Sequence, residues 1–140
     1  METLLKIQMS SRVQTGADTL EKQLEARYRL IYGEARLAYK QKLDPESEVY
    51  TPEVLIVLID EAGKPYRVTM KRPGSDFKLL FDRDEACEAL YDTPAGVLKL
   101  SLLTQEMDGH FGEDGVWLHL KYELQLGSDS LGATELDIRS

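Results

Sequence analysis

Apolar side chains return at every second position along most of this chain. Leu5, Ile7, Met9 and Val13 share one parity, with Lys6, Gln8, Arg12 and Gln14 between them. Leu20, Leu24, Ala26, Tyr28, Leu30 and Tyr32 do the same against Glu21, Gln23, Glu25, Arg27 and Arg29. Val116, Leu118, Leu120, Tyr122, Leu124 and Leu126 alternate with Trp117, His119, Lys121, Glu123 and Gln125. A strand turns successive side chains to opposite faces, so a period of two means antiparallel sheet with one dry face and one wet face. A helix needs steps of three and four. Leu20, Leu24 and Tyr28 keep an i, i+4 rhythm, which leaves a helical alternative for that stretch alone.

Turn residues divide the pattern into about ten strands, near residues 4–14, 19–32, 35–41, 48–60, 65–72, 77–81, 84–91, 97–107, 116–126 and 133–139. Gly16-Ala17-Asp18 ends the first. Gly33-Glu34 reads as a tight hairpin, since glycine takes the positive φ that primed turns need. Leu43-Asp44-Pro45-Glu46-Ser47 is a loop, because the residue before proline is pushed away from regular structure. Pro52 lacks a ladder donor and points to an edge, a bulge or a bend. Glu61-Ala62-Gly63-Lys64 has the length of a type I turn with a glycine bulge. Periodicity does not decide between strand and helix for residues 84–91. Residues 108–115, with Gly109, Gly112 and Gly115, read as a long hairpin loop.

Many strands joined by short turns indicate an up-and-down antiparallel sheet. A sheet of 8–10 such strands tends to curl and close, because closure removes unpaired edges. The expectation is an all-β fold with one barrel domain over residues 1–140. Such a barrel has room for packed side chains or one small ligand.

The formal net charge is -8, which disfavours nucleic acid as a partner, since phosphate backbones attract cationic surfaces. The densest basic stretch holds Lys64, Arg67, Lys71 and Arg72, which alternation divides between two faces. One cysteine, Cys87, permits no internal disulfide. The longest apolar run, Val54 to Ile59, is six residues, against about 20 for a helical membrane span. No membrane partner is expected, and the absence of a basic-then-apolar leader makes the cytoplasm the expected location.

Three segments resemble one family. Val68-Thr69-Met70-Lys71-Arg72-Pro73-Gly74 is followed by Leu80-Phe81. Tyr91-Asp92-Thr93-Pro94-Ala95-Gly96 leads into an alternating strand with Thr104. Gly115 to Leu126, with Tyr122, precedes a closing strand ending in Leu136 and Ile138. In order and spacing these segments are similar to the YwiB-like bacterial proteins. The resemblance implies a lipocalin-like (calycin) barrel and brings no activity or substrate with it.

Catalytic and metal chemistry find little support. His110, His119 and Cys87 are too few for a structural zinc site, which wants four Cys or His ligands. No Gly-x-Ser-x-Gly elbow occurs, and Cys87 has no cationic neighbours in sequence to activate it. Asp108, Glu113 and Asp114 lack the oxygen spacing of an EF-hand loop. No cofactor is implied, and a non-enzymatic role is expected.

Arg72 continues the parity of Tyr66, Val68 and Met70. Inside a barrel its guanidinium would need a partner or an anionic ligand. At the rim it would pair with a carboxylate such as Asp76 or Glu106, and this is the favoured expectation. Tyr28, Tyr66 and Tyr122 fall on apolar parities, where rings fill a core or line a cavity. Arg72, Tyr28, Tyr66 and Tyr122 are therefore the candidate contacts to a small or amphipathic ligand. The run of Val54 to Ile59 lacks alternation, so both of its faces are expected to be covered, one by the barrel interior and one by another element or a partner. Val54, Ile56 and Leu58 become the candidate surface for a homodimer or another protein.

Overall fold

The structure, a computed structural model, describes residues 2–13 and 19–140. The turn expected at Gly16-Ala17-Asp18 lies outside the described residues. Ten strands follow one another: β1 (Glu2–Val13), β2 (Thr19–Ile31), β3 (Glu34–Gln41), β4 (Thr51–Ile59), β5 (Pro65–Lys71), β6 (Lys78–Asp82), β7 (Cys87–Thr93), β8 (Gly96–Phe111), β9 (Val116–Leu126) and β10 (Asp129–Arg139). Each pairs antiparallel with its neighbours in sequence, and β1 pairs with β10, so the sheet closes into a barrel. Residues 19–31 form a strand, and the helical alternative for them falls away. Residues 87–93 are also a strand, which settles the undecided stretch before the eighth strand.

The even spacing of apolar residues explains why these segments extend rather than coil. Leu55, Val57 and Ile59 of β4 are buried, as are Leu118, Leu120 and Tyr122 of β9. The fully buried side chains include Phe81, Ile7, Leu37, Leu102 and Ile138. Each such side chain stabilises the fold by roughly 1.5–3 kcal/mol through removal from water. The centre of the lumen is thus a packed core.

Register shifts in β5, β8 and β10 change which residues face inward. In β5 the register moves from Leu58↔Arg67 to Ile59↔Pro65, so Tyr66 is the extra residue. Pro65 takes the inward position and Tyr66 is turned out, contrary to its parity with Val68 and Met70. In β8 the register shifts between Thr104 and Glu106. Leu100 and Leu102 face in before it, and Gly109 and Phe111 after it. One inserted residue reverses parity, as a β-bulge must. For that reason β8 runs on to Phe111, and the loop expected over residues 108–115 shrinks to residues 112–115.

Gly109 has a steric role in this strand. A Cβ there would lie 2.6 Å from the Trp117 carbonyl oxygen and 3.3 Å from Leu118 Cα. Backbone cannot yield as a flexible side chain can, so Gly109→Ala is expected to cost about 1–3 kcal/mol. A fall in the thermal midpoint measures it; an unchanged midpoint would mean that β8 and β9 separate without penalty.

The two ends of the barrel differ. One end, here the upper, gathers the C-termini of β3, β5, β7 and β9 and the N-termini of β2, β4, β6, β8 and β10. At the lower end the β4–β5 turn reaches β8, where Phe111 N–H donates to the Gly63 carbonyl at 3.0 Å. At the upper end β2 parts from β3. Their ladder covers Arg27↔Ala38 to Ile31↔Glu34, while Thr19 to Ala26 pair with β1 only among the described residues. There the wall between β2 and β3 is not closed by a backbone ladder among the described residues.

Candidate functional site

Four departures from alternation meet at the upper end. Ser11 and Lys22 interrupt the inward rows of β1 and β2, Gln41 ends that of β3, and Glu53 begins that of β4. Glu53 shares the parity of Leu55, Val57 and Ile59 and is 1% exposed. A buried carboxylate demands compensation. It receives hydrogen bonds from the Tyr39 hydroxyl at 2.6 Å and from Gln41 Nε2 at 3.0 Å to each oxygen. Arg72 Nε donates to its Oε2 at 3.0 Å. Arg72 is thus turned inward and paired with Glu53, rather than with Asp76 or Glu106. Asp76 approaches Asp92 through its backbone, and Glu106 faces His119.

The network continues sideways. Lys22 Nζ donates to Gln41 Oε1 and to the Lys42 carbonyl, both at 2.9 Å, bridging the parted edges of β2 and β3. The Arg72 guanidinium lies over the Phe77 ring at 3.7 Å, in cation–π range. Phe77 meets Tyr91 edge-on at 5.4 Å. Burial, then the nearby Glu53, pushes the Tyr39 hydroxyl well above its usual pKa. Burial raises Tyr91 as well, and it pushes Tyr122 up to about 12. These phenols stay protonated at neutral pH and can donate.

Around this network is a cleft of about 270 Å3, lined on its apolar side by Met9, Met70, Leu79 and Leu136. Lys22, Gln41, Glu53 and Arg72 form its polar wall, and Phe77, Tyr91 and Tyr122 its aromatic one. Of the residues singled out in the sequence, Arg72 and Tyr122 meet here. Tyr28 does not: it sits toward the lower end, where its hydroxyl donates to the Gly112 carbonyl at 2.9 Å. Tyr66 is 40% exposed on the outside. Lys22, Tyr39, Gln41, Glu53, Phe77 and Tyr91 escaped notice, although a polar residue on an apolar parity was visible at 22, 41 and 53.

Val54, Ile56 and Leu58 face outward and are half-buried. Among the described residues no other element of the chain covers them, so of the two covers expected for this run the partner alone is left. Their shelter comes from the sheet itself. Ile56 stands between Arg36 and Thr69, Leu58 between Glu34 and Arg67, and Val54 between Ala38 and Lys71. Neighbours directly across a ladder shield one another's side chains from water. Arg36 pairs with Glu34 along β3 at 3.1 Å, and Arg67 pairs with Asp82 of β6 at 3.1 Å, on the side of β5 away from β4.

Residues 5–138 match the family model described as Domain of unknown function (DUF1934). The chain belongs to the DUF1934 family. The crystal structure of the ywiB protein from Bacillus subtilis has the same fold as this DUF1934 chain, with a TM-score of 0.70. Identity is 18%, over 99% of this chain and 90% of that one, so the likeness concerns the fold alone. No curated protein matches this DUF1934 chain.

The remaining reactive side chains of the DUF1934 barrel lie apart from the cleft. Cys87 is half-buried near the lower end, and burial, then the charge of Asp82, raises its thiol pKa. His119 faces outward between Asp137 Oδ1 at 2.7 Å and Glu106 Oε1 at 3.4 Å. Partial burial alone would lower its pKa, but the two carboxylates outweigh it and the net shift is upward from 6.5. A folded-state pKa above the unfolded one adds stability below the unfolded value, which is lost as pH rises through the folded value. Stability is therefore expected to fall as pH climbs above about 6.5 and through the raised folded-state value, and His119→Gln to flatten that slope. Urea midpoints across this range measure the effect; identical slopes for both proteins would refute it.

Proposed function

We propose that this chain is a non-enzymatic barrel that holds one small, partly apolar molecule in its upper mouth. The observation that carries this is the cleft itself: an apolar pocket with a few convergent polar donors on one wall, the usual make-up of a ligand site. In this reading the barrel works as lipocalin-like barrels do, packed below and open to a ligand above. A catalytic role has weaker support. Glu53 would be the acid or base, but both of its oxygens are already engaged by Tyr39, Gln41 and Arg72. A base must reach the proton it abstracts.

The uncharged fluorophore N-phenyl-1-naphthylamine tests the reading. Fluorescence should rise saturably with the wild-type protein and be lost in Leu136→Trp, whose larger ring fills the cleft. Native mass spectra of freshly purified protein should show a non-covalent adduct. A bare apo mass together with no saturable fluorescence would refute it. The alternative, a homodimer through Val54, Ile56 and Leu58, is separated by sedimentation: Ile56→Lys would convert a dimer to a monomer. Val54, Ile56 and Leu58 are already half-buried between their cross-strand neighbours, which favours the mouth.

A further inference from the structure

We infer that the molecule held in the upper mouth carries an oxyanion, which docks between the Lys22 ammonium and the outer edge of the Arg72 guanidinium. This rests on the mouth being a ligand site at all.

Charge is the first argument. The ionised side chains lining the cleft are Lys22, Arg72 and Glu53. Glu53 accepts from Tyr39, Gln41 and Arg72 and has no oxygen left to offer. One positive charge remains unmatched, in a chain whose formal net charge is -8. Against that background a local excess of cation selects an anion rather than a cation from solution.

Unused donors are the second argument. An ammonium has three hydrogens and no acceptor. Lys22 gives two of them to neutral oxygens, Gln41 Oε1 and the Lys42 carbonyl, and none to a carboxylate among the described residues. Arg72 uses Nε on Glu53 and one face on Phe77. Its two terminal nitrogens make no hydrogen bond to the described residues. A wholly apolar ligand would strip water from these donors and return nothing, a desolvation cost that few apolar contacts offset. An oxyanion returns charge-assisted bonds to both.

Size and wall chemistry limit the rest of the molecule. A volume of about 270 Å3 lies just below the usual range for ligand cavities, which starts at roughly 300 Å3. Phe77, Tyr91 and Tyr122 offer ring faces and edges. A short or flat apolar body attached to one carboxylate or phosphate fits this space; a long lipid tail does not.

Three probes with one ring system test the inference: 1-naphthoate, 1-naphthyl phosphate and 1-naphthalenemethanol, each displacing N-phenyl-1-naphthylamine. At least one anion should bind about tenfold or more tightly than the alcohol at low salt, with the gap narrowing as salt is added. The two anions compared with each other tell carboxylate from phosphate. Lys22→Met should close the gap, and Lys22→Arg should keep it. Lys22 side-chain resonances of the wild-type protein should shift on titration with the favoured anion, a readout that does not depend on any variant folding. Equal affinities for anion and alcohol, or a gap that Lys22→Met leaves untouched, would overturn the oxyanion and spare the mouth. Failure of all three probes and of the fluorophore would take the mouth reading down too.

Discussion

Phe81→Ala is expected to lower the unfolding free energy by about 3–5 kcal/mol, the range for truncating a fully buried aromatic. Phe81 is completely shielded from water in β6. Its ring meets that of Tyr122 edge-on at 4.9 Å, a geometry worth about 0.5–1.5 kcal/mol beyond burial alone. Side chains matter more here than the ladder does. β6 has five residues and joins β7 through Lys78↔Leu90 and Leu79↔Ala89 only. With so few cross-strand bonds nearby, the hole left by the ring has to be tolerated or filled by collapse of β6 and β7. Phe81→Leu keeps most of the volume and is expected to cost less than half as much. Urea unfolding reads both, with an unchanged slope showing that the transition is still two-state. A loss below about 1 kcal/mol for Phe81→Ala would mean that the lumen closes around the gap, and that the centre of the barrel is not close-packed.

The fold was almost wholly legible, because alternation depends on nothing beyond the strand carrying it. β9 matches its expected bounds residue for residue, and the hairpin at Gly33 turns on that glycine, with φ +78°. Legibility failed where one residue too many entered a strand. Nothing in Pro65-Tyr66-Arg67 announces which of the three is extra; the partner strand decides, and Tyr66 went outward. The bulge after Thr104 hid the last four residues of β8 in the same way, and Gly109 then passed for a loop residue when it was making room for β9. At the site, Arg72 was readable as inward by parity, but its partner was not, because β4 and β5 are aligned by tertiary pairing. The clue that went unused was simpler. Lys22, Gln41 and Glu53 each put a polar head where the row demanded an apolar one. Three costly exceptions near strand ends that a meander brings together are a stronger sign of a site than any number of tyrosines on regular positions.

Arg72→Met should cost about 3 kcal/mol, at the low end for breaking a buried ion pair. The low end applies because the Arg72 side chain is 22% exposed while Glu53 is 1% exposed, so water can reach one partner and not the other. Methionine keeps an apolar stem and removes both the charge and the guanidinium's contact with Phe77, so the single variant alone does not separate the two losses. What remains is a carboxylate held by Tyr39 and Gln41 without a counter-charge. Glu53→Gln in the same background removes the stranded charge, so the double variant should recover about 2 kcal/mol of the loss. That recovery is the decisive quantity. A double variant no more stable than Arg72→Met alone would show that the guanidinium acts through its contact with Phe77 and that the Glu53 pair contributes nothing. The ligand should respond in a different sense. Glu53→Gln alone leaves two cations at the mouth with no internal carboxylate between them, so an anion should bind more tightly to that variant than to the wild type, even as the fold itself becomes less stable. Stability and affinity moving in opposite directions is the signature of a polar cluster built around a site rather than for the core.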